Sequence, residues 1–312
     1  MAAVGHGVGL AAMIRRLALG ALALVLAACD APEPDYAPRF TADPPTQLRT
    51  LVLGVHPLHN PKRLFEVYQP LVDHLNAGLQ GVRIRLEASN SYGAFDEKMA
   101  ARRFDLALPN PYQTLNSLGQ GYRVFGKMAD DGAFRGIILV RRDSGIDDPA
   151  DLKGKAVSYP APTALAATMM PQWFLHRQGI DVMRELENRY VGSQESSIMN
   201  VQLGHVAAGA TWPAPWRAFQ REHPDLAAQL RVAWETEPLV NNGLVARDDV
   251  PAETVARIGA LLFAMTSTEA GRAILAPMEV AGFEAADDKV YDRVRRFLVD
   301  FERDVRPARG TP

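Results

Sequence analysis

The chain has 312 residues, 47% of them hydrophobic, with 34 basic and 36 acidic side chains and a single cysteine. A net charge of −2 gives no basic surplus for nucleic acid, and one thiol excludes an internal disulfide, a dithiol redox motif or a thiolate metal cluster. Such a chain is held by a hydrophobic core, and this length can build one or two of them.

Arg15 and Arg16 precede an almost unbroken apolar run, 17–28, which ends in Leu26-Ala27-Ala28-Cys29. Charge, short apolar stretch and small residues in that order are the grammar of an export signal. A membrane span needs about 20 apolar residues, so the run is too short to be one. The string resembles a bacterial lipobox, which implies that Cys29 becomes the lipid-modified first residue of the mature chain. Met13 is a more conventional start than Met1. Loss of 1–28 leaves 32 basic and 36 acidic residues, a net charge of −4. Asp30 beside Cys29 resembles the inner-membrane retention signal of enteric bacteria, which favours that membrane. Residues 29–47 contain five prolines and read as a semi-extended tether, and 306–312 read as a disordered tail.

From residue 50 onward strand and helix alternate. Residues 50–55 are a short apolar strand, and Asn60-Pro61 starts a helix as N-cap and first helical residue. Leu64, Tyr68, Leu71, Val72, Leu75 and Leu79 give that helix its buried face. Strands follow at 82–88, 104–108 and 122–127, separated by helices at 94–103 and 112–118. The rhythm restarts after Gly136, with strands at 137–140, 156–159, 189–191, 206–211, 230–235 and 244–246. Helices fall between and after them, the last at 289–303. This is α/β architecture with largely parallel sheets. The expected division is a first lobe from 48–136 plus 245–305 and a second lobe from 137–244. Hinge crossovers are expected near 137–142 and 232–246, around a ligand cleft.

Several strings, in consistent order, resemble the phosphate/phosphite/phosphonate-binding family of periplasmic receptors that serve ABC importers. They are LVLGV followed by Pro57, SYGAFDEKM (91–99), RFDLALPNPY (103–112), VRRDSGIDDPADLKGK (140–155), SYPAPTA (158–164), the run 190–210 and LVNNGLVARDDVP (239–251). The resemblance spans about residues 50–275 and implies a type II periplasmic binding protein, two α/β lobes closing over one small ligand. It further implies an anion held at a helix N-terminus in the second lobe, here Pro162, Thr163 and Ala164. The family usually supplies several hydroxyls at this turn. This chain keeps Thr163, with Thr168 a turn further on, and Pro171 either kinks the helix or marks a later start. Tyr92 matches a ligand-contacting tyrosine of the family, and Asn110 and Tyr112 fall in a cleft-facing loop. Trp212 ends a strand, and with the tyrosines it could form an aromatic box for an organic group or a cation. Trp216, a helical turn later, suits core packing. Glu195, near the start of a helix capped by Ser193, could accept a bond from a protonated phosphonate oxygen, pair with an ammonium group, or simply complement the helix dipole.

His56 and His59 lie in the loop after the first strand. Two histidines three apart could hold a metal or touch a ligand, but no further ligand lies near in sequence and a solvated loop is the simpler expectation. No nucleophile elbow, HExxH zinc string or phosphate-binding Walker string is present, so no enzyme, metal or cofactor is expected. The expected protein is a lipid-anchored, periplasmic, monomeric receptor. It would deliver a phosphonate-, phosphite- or phosphate-like small anion to an inner-membrane ABC permease. The alternatives are the same fold holding an aromatic or amine-bearing solute, or a ligand-sensing module for a membrane kinase.

Overall fold

The computed structural model describes residues 48–308. The signal segment 1–28, Cys29, the tether 29–47 and the tail beyond 308 lie outside the described residues.

Two mixed sheets carry the fold. The first is assembled from β1 (Arg49–Val55), β2 (Val82–Glu87), β3 (Leu106–Leu108), β4 (Tyr122–Met128), β10 (Gly243–Arg247) and β11 (Phe283–Glu284), in the order β11-β4-β10-β3-β1-β2. β1 runs parallel to β2 and β3, whereas β10 enters antiparallel between β3 and β4. The helices that cross between the parallel strands are α1 (Pro61–Gly78) and α2 (Tyr92–Ala100), and α3 (Pro111–Leu118) follows β3. Asn60 caps α1 through its side-chain oxygen, which accepts from Arg63 N at 3.0 Å. Leu64, Val67, Tyr68, Leu71, Val72 and Leu75 form its buried stripe.

The second sheet has the order β7-β6-β8-β5-β9, from β5 (Ile137–Arg141), β6 (Ala156–Tyr159), β7 (Glu187–Tyr190), β8 (Ala208–Thr211) and β9 (Leu230–Glu235). β5 lies between β8 and β9, antiparallel to both. Its alternation is visible in the packing. Ile138 and Val140 join one apolar cluster with Val157, Leu175 and Ile180, and Ile137 and Leu139 join another with Ile198, Val201 and Phe219. Successive side chains of a strand point to opposite faces, so both faces of this sheet are buried under helices. Those helices are α4 (Met170–Arg177), α5 (Gln194–Gln202), α6 (Pro213–Glu222) and the single turn α7 (Pro224–Ala227).

The chain returns to the first sheet through β10, and α8 (Ala252–Phe263), α9 (Glu269–Met278) and α10 (Asp292–Asp304) complete the first lobe. The segments that pass between sheets are 129–136 and 236–242. The first lies just before the expected hinge at 137–142, since Ile137 already pairs with Thr211 in the second sheet; the second falls within the expected 232–246 and is narrower, since Glu235 pairs in the second sheet and Gly243 and Leu244 in the first. The boundary shifts because these apolar strands read alike whichever sheet they join. The last residues also depart from expectation. Arg306 and Ala308 are buried rather than loose, for a reason found at the cleft.

The largest apolar cluster spans the cleft. Tyr92, Phe134 and Leu108 of the first lobe share it with Ala164–Ala167, Met169, Trp212 and Ala214 of the second. The lobes are closed on one another.

Candidate functional site

At the centre of the interface is a chamber lined by His56, Tyr92, Asn110, Phe134, Ala164–Ala167, Gln194, Trp212 and Asn242. Its free space is about 10 Å³, room for one water molecule. A groove of about 870 Å³ lies outside it, lined among others by Tyr92, Asp96, Tyr112, Pro162, Thr163 and Tyr190. Tyr92 belongs to both.

The second lobe contributes a helix head. Residues Leu165–Met169 form a π turn that runs into α4, with Pro171 at the second position of the α-helical part. The sequence left Pro171 as a kink or a later start, and the outcome combines them: a wider π turn, then a regular α-helical part with proline at its second position. Ala164 caps this head and has no side chain to do so. Among the described residues nothing accepts from the N–H groups of Leu165, Ala166 and Ala167. Three orphan donors and the positive end of a helix therefore face the chamber. Thr168 does not help, since its buried hydroxyl donates to Ala161 O at 2.8 Å.

The turn before this head is gripped from the first lobe. Asn110 caps α3 in a reciprocal box with Gln113, and its Nδ2 donates across the cleft to Thr163 O at 3.1 Å. Arg306 Nη2 donates to the neighbouring carbonyl, Pro162 O, at 2.7 Å, while its Nε donates to Gln172 Oε1 on α4 at 2.9 Å. The guanidinium also lies over the Phe301 ring, 5.1 Å from its centre. These contacts bury Arg306.

Two helix starts meet head-on across the chamber. Ser91 caps α2 and Ser193 caps α5, which places Tyr92 and Gln194 as the first residues of facing helices. Gln194 Nε2 donates to the Tyr92 hydroxyl at 3.2 Å, and Gln194 Oε1 accepts from Thr211 Oγ1 at 2.8 Å. The threonine fixes which way the amide points. The Tyr92 oxygen is the acceptor in its bond, so its own O–H remains to be donated. Burial raises its ionisation well beyond neutral pH.

His56 is 2% exposed, so the loop expected to be solvated is instead a chamber wall. Its backbone N–H and its Nδ1 both bond Leu108 O, the ring at 2.8 Å. Burial pushes its pKa down to about 4, and the ring is neutral at pH 7. Asn242 is fully buried. Among the described residues its Nδ2 has only the Met128 sulfur, at 3.4 Å, and its Oδ1 has no partner. The opposite wall is aromatic, Phe134 and Trp212 with ring centres 5.6 Å apart.

Of the residues singled out from the sequence, Tyr92, Asn110, Ala164 and Trp212 line the chamber. Tyr112, Pro162 and Thr163 line the outer groove. Glu195 is exposed and lines neither. Trp216 is buried against Phe219 in the second lobe. Sequence reasoning did not single out Gln194, Asn242, Phe134 or Arg306. The first directly follows a recognisable cap, and the second stands in an Asn-Asn-Gly string before a strand; the other two carried no signal. Among the described residues no group of three His, Cys, Asp or Glu side chains is placed to hold a metal, and no helix is long and apolar enough to cross a membrane.

Residues 53–291 match the family model described as ABC transporter, phosphonate, periplasmic substrate-binding protein. The fold resembles a binding-protein component of an ABC phosphonate transporter from Pseudomonas aeruginosa, at 15% identity and TM-score 0.76 over 82% of this chain and 88% of that one. It likewise resembles PhnD1 of Prochlorococcus marinus in complex with methylphosphonate, at 17% identity and TM-score 0.75 over 81% and 98%. A more distant likeness is the aliphatic sulphonate binding protein SsuA of Escherichia coli, at 15% identity and TM-score 0.57 over 82% and 87%. With the family model covering well over half its length, this chain belongs to the phosphonate-type periplasmic substrate-binding proteins of ABC transporters, proteins that bind and hand on a solute rather than transform it.

Proposed function

We propose that the chain is a lipid-anchored receptor for a small organophosphonate, held in the interlobe chamber and delivered to an inner-membrane ABC permease. The observation that carries the ligand class is the uncapped helix head. Three free N–H groups and a helix dipole suit an oxyanion, and no cationic side chain stands in the chamber to compete for it. The aromatic wall opposite suits a carbon substituent on phosphorus better than a fourth oxygen. The Gln194–Tyr92 bond marks where the ligand would sit, because an oxyanion there would take both donors for itself.

With so little free space, entry requires the lobes to part, and they close again less far, with the ligand between them adding contacts from both sides. Lipidation at Cys29 and a monomeric state are part of this proposal. Replacing Cys29 by serine is expected to abolish labelling by a fatty-acid probe and release the protein in soluble form.

The alternative of an aromatic or amine-bearing solute gains the Trp212–Phe134 wall, but no carboxylate lines the chamber to receive an ammonium. Isothermal titration of ligand-stripped protein separates the two. Methyl- and ethylphosphonate are expected to bind more tightly than phosphate, and Trp212→Ala to erase that preference. Binding of amines or aromatic solutes with no response to any phosphonate would overturn the reading.

A further inference from the structure

We propose that His56 makes this chamber selective for an oxyanion that still carries one proton, the monoanion R–PO₂(OH)⁻, against both the dianion and proton-free sulfonates. The inference rests on the oxyanion reading above and specifies the ligand's protonation state.

The argument is an inventory of donors and acceptors. Facing the ligand are the N–H groups of Leu165, Ala166 and Ala167, the Tyr92 hydroxyl and Gln194 Nε2, all donors. His56 is different. Leu108 O can only accept, so the hydrogen of the neutral ring must sit on Nδ1. Nε2 therefore carries a lone pair and has no hydrogen-bond partner among the described residues. A fully deprotonated phosphonate, or a sulfonate, would present only lone pairs to that nitrogen. Two facing acceptors repel, and a buried acceptor left unsatisfied is costly. A P–OH group resolves the conflict by donating to Nε2, while the remaining oxygens accept from the helix head and Tyr92. Asn242 Oδ1, buried and without a partner among the described residues, is a second acceptor in the wall, and the ligand's one proton can serve only one of the two.

Charge points the same way. Among the described residues no Lys or Arg lines the chamber, so one negative charge against a helix dipole is tolerable and two are not. His56 cannot readily become the missing cation. It is fully buried, the ionisable group that most influences it is His59, and its other ring neighbours are Tyr92 and Phe95. Glu195, which the sequence offered as acceptor for a protonated oxygen, is exposed and leaves that role open.

The test is titration of methylphosphonate and methanesulfonate against wild type and His56→Asn between pH 5.5 and 9. Asparagine can keep the bond to Leu108 O through its own amide while removing the acceptor at Nε2. Wild type is expected to prefer the phosphonate by tenfold to hundredfold below the ligand's second pKa, and to lose affinity about tenfold per pH unit above it. His56→Asn is expected to narrow the preference to a few fold, chiefly by weakening phosphonate binding. Equal binding of sulfonate and phosphonate by wild type, or phosphonate affinity undiminished at pH 9, would overturn the inference while leaving the oxyanion reading intact. Failure of both anions to bind at any pH would overturn the oxyanion reading itself. A thermal melt of the unliganded variant, unchanged within a few degrees, separates lost recognition from lost fold.

Discussion

His56 binds its own neutrality to the stability of the fold. Its pKa is near 6.5 when unfolded and about 4 in the buried wall, so between these values the unfolded chain holds more protons. Stability is fully present above pH 6.5 and is lost as pH falls toward 4, by up to roughly 3 kcal/mol. His59 is shifted down to about 4 as well, by burial and by the charges of Arg63 and Arg221, but it is only half-buried and contributes less. Urea unfolding of unliganded protein at pH 7 and pH 4.5 is expected to show a drop that His56→Asn reduces by about 2 kcal/mol; parallel curves would exclude His56 as its source. Gly136 acts at the same scale through absence. A Cβ there would stand 2.5 Å from Ala166 O and 2.7 Å from the Pro171 ring. Gly136→Ala is expected to cost about 1–3 kcal/mol and to push the helix head out of line, weakening ligand binding at least tenfold. Normal affinity in a folded variant would show that the head tolerates displacement.

Elements were more legible in the sequence than their partners. The alternation of apolar strands with capped, 3.6-periodic helices gave β6 and β9 to the residue, and Asn60, Ser193 and the start of α8 where they stand. Local hydrogen bonding and periodicity determine such features, and both are written in short windows. The chamber was half legible. Tyr92 was found through the family resemblance and Asn110 and Trp212 because they follow strand ends, while Gln194, Phe134 and Asn242 depend on how two lobes meet. Residues 306–308 were misread for the same reason. A charged, proline-containing segment looks loose until its guanidinium finds Pro162 O and Gln172, more than 130 residues away. Arg306 ties the turn before α4 to α4 itself, so it stiffens the element that presents the N–H groups. Arg306→Met keeps much of the side chain's bulk and removes those bonds. It is expected to cost about 1.5–3 kcal/mol, lowering the melting temperature by several degrees, and to weaken ligand binding as well. A fall in melting temperature with unchanged affinity would confine Arg306 to stability.

Across the whole molecule, closure is supported on both sides of the chamber. Arg306 and Asn110 bridge the lobes at one side through backbone carbonyls. Ion pairs bridge them elsewhere: Arg63 of α1 with Glu222 of α6, and Arg217 and Arg221 of α6 with Glu279, which follows α9. Glu279 is the shared node, its carboxylate largely buried and its backbone carbonyl also accepting from Arg217. Surface pairs contribute little singly, about 0.2–1 kcal/mol, but all of these are lost together when the lobes separate. They act on the open–closed balance rather than on the ligand, since neither Glu279 nor its arginines line the chamber. Ligand affinity is scaled by the fraction of molecules able to hold the closed form. Glu279→Gln, compared with wild type at one ionic strength, is therefore expected to enlarge the unliganded protein in small-angle scattering and to weaken ligand binding about two- to fivefold. The liganded forms should scatter alike, because the ligand supplies the missing closure energy. An unliganded variant as compact as wild type would mean that the apolar contacts across the cleft, Tyr92 and Phe134 against Ala164–Ala167 and Trp212, hold the lobes together without the ion pairs.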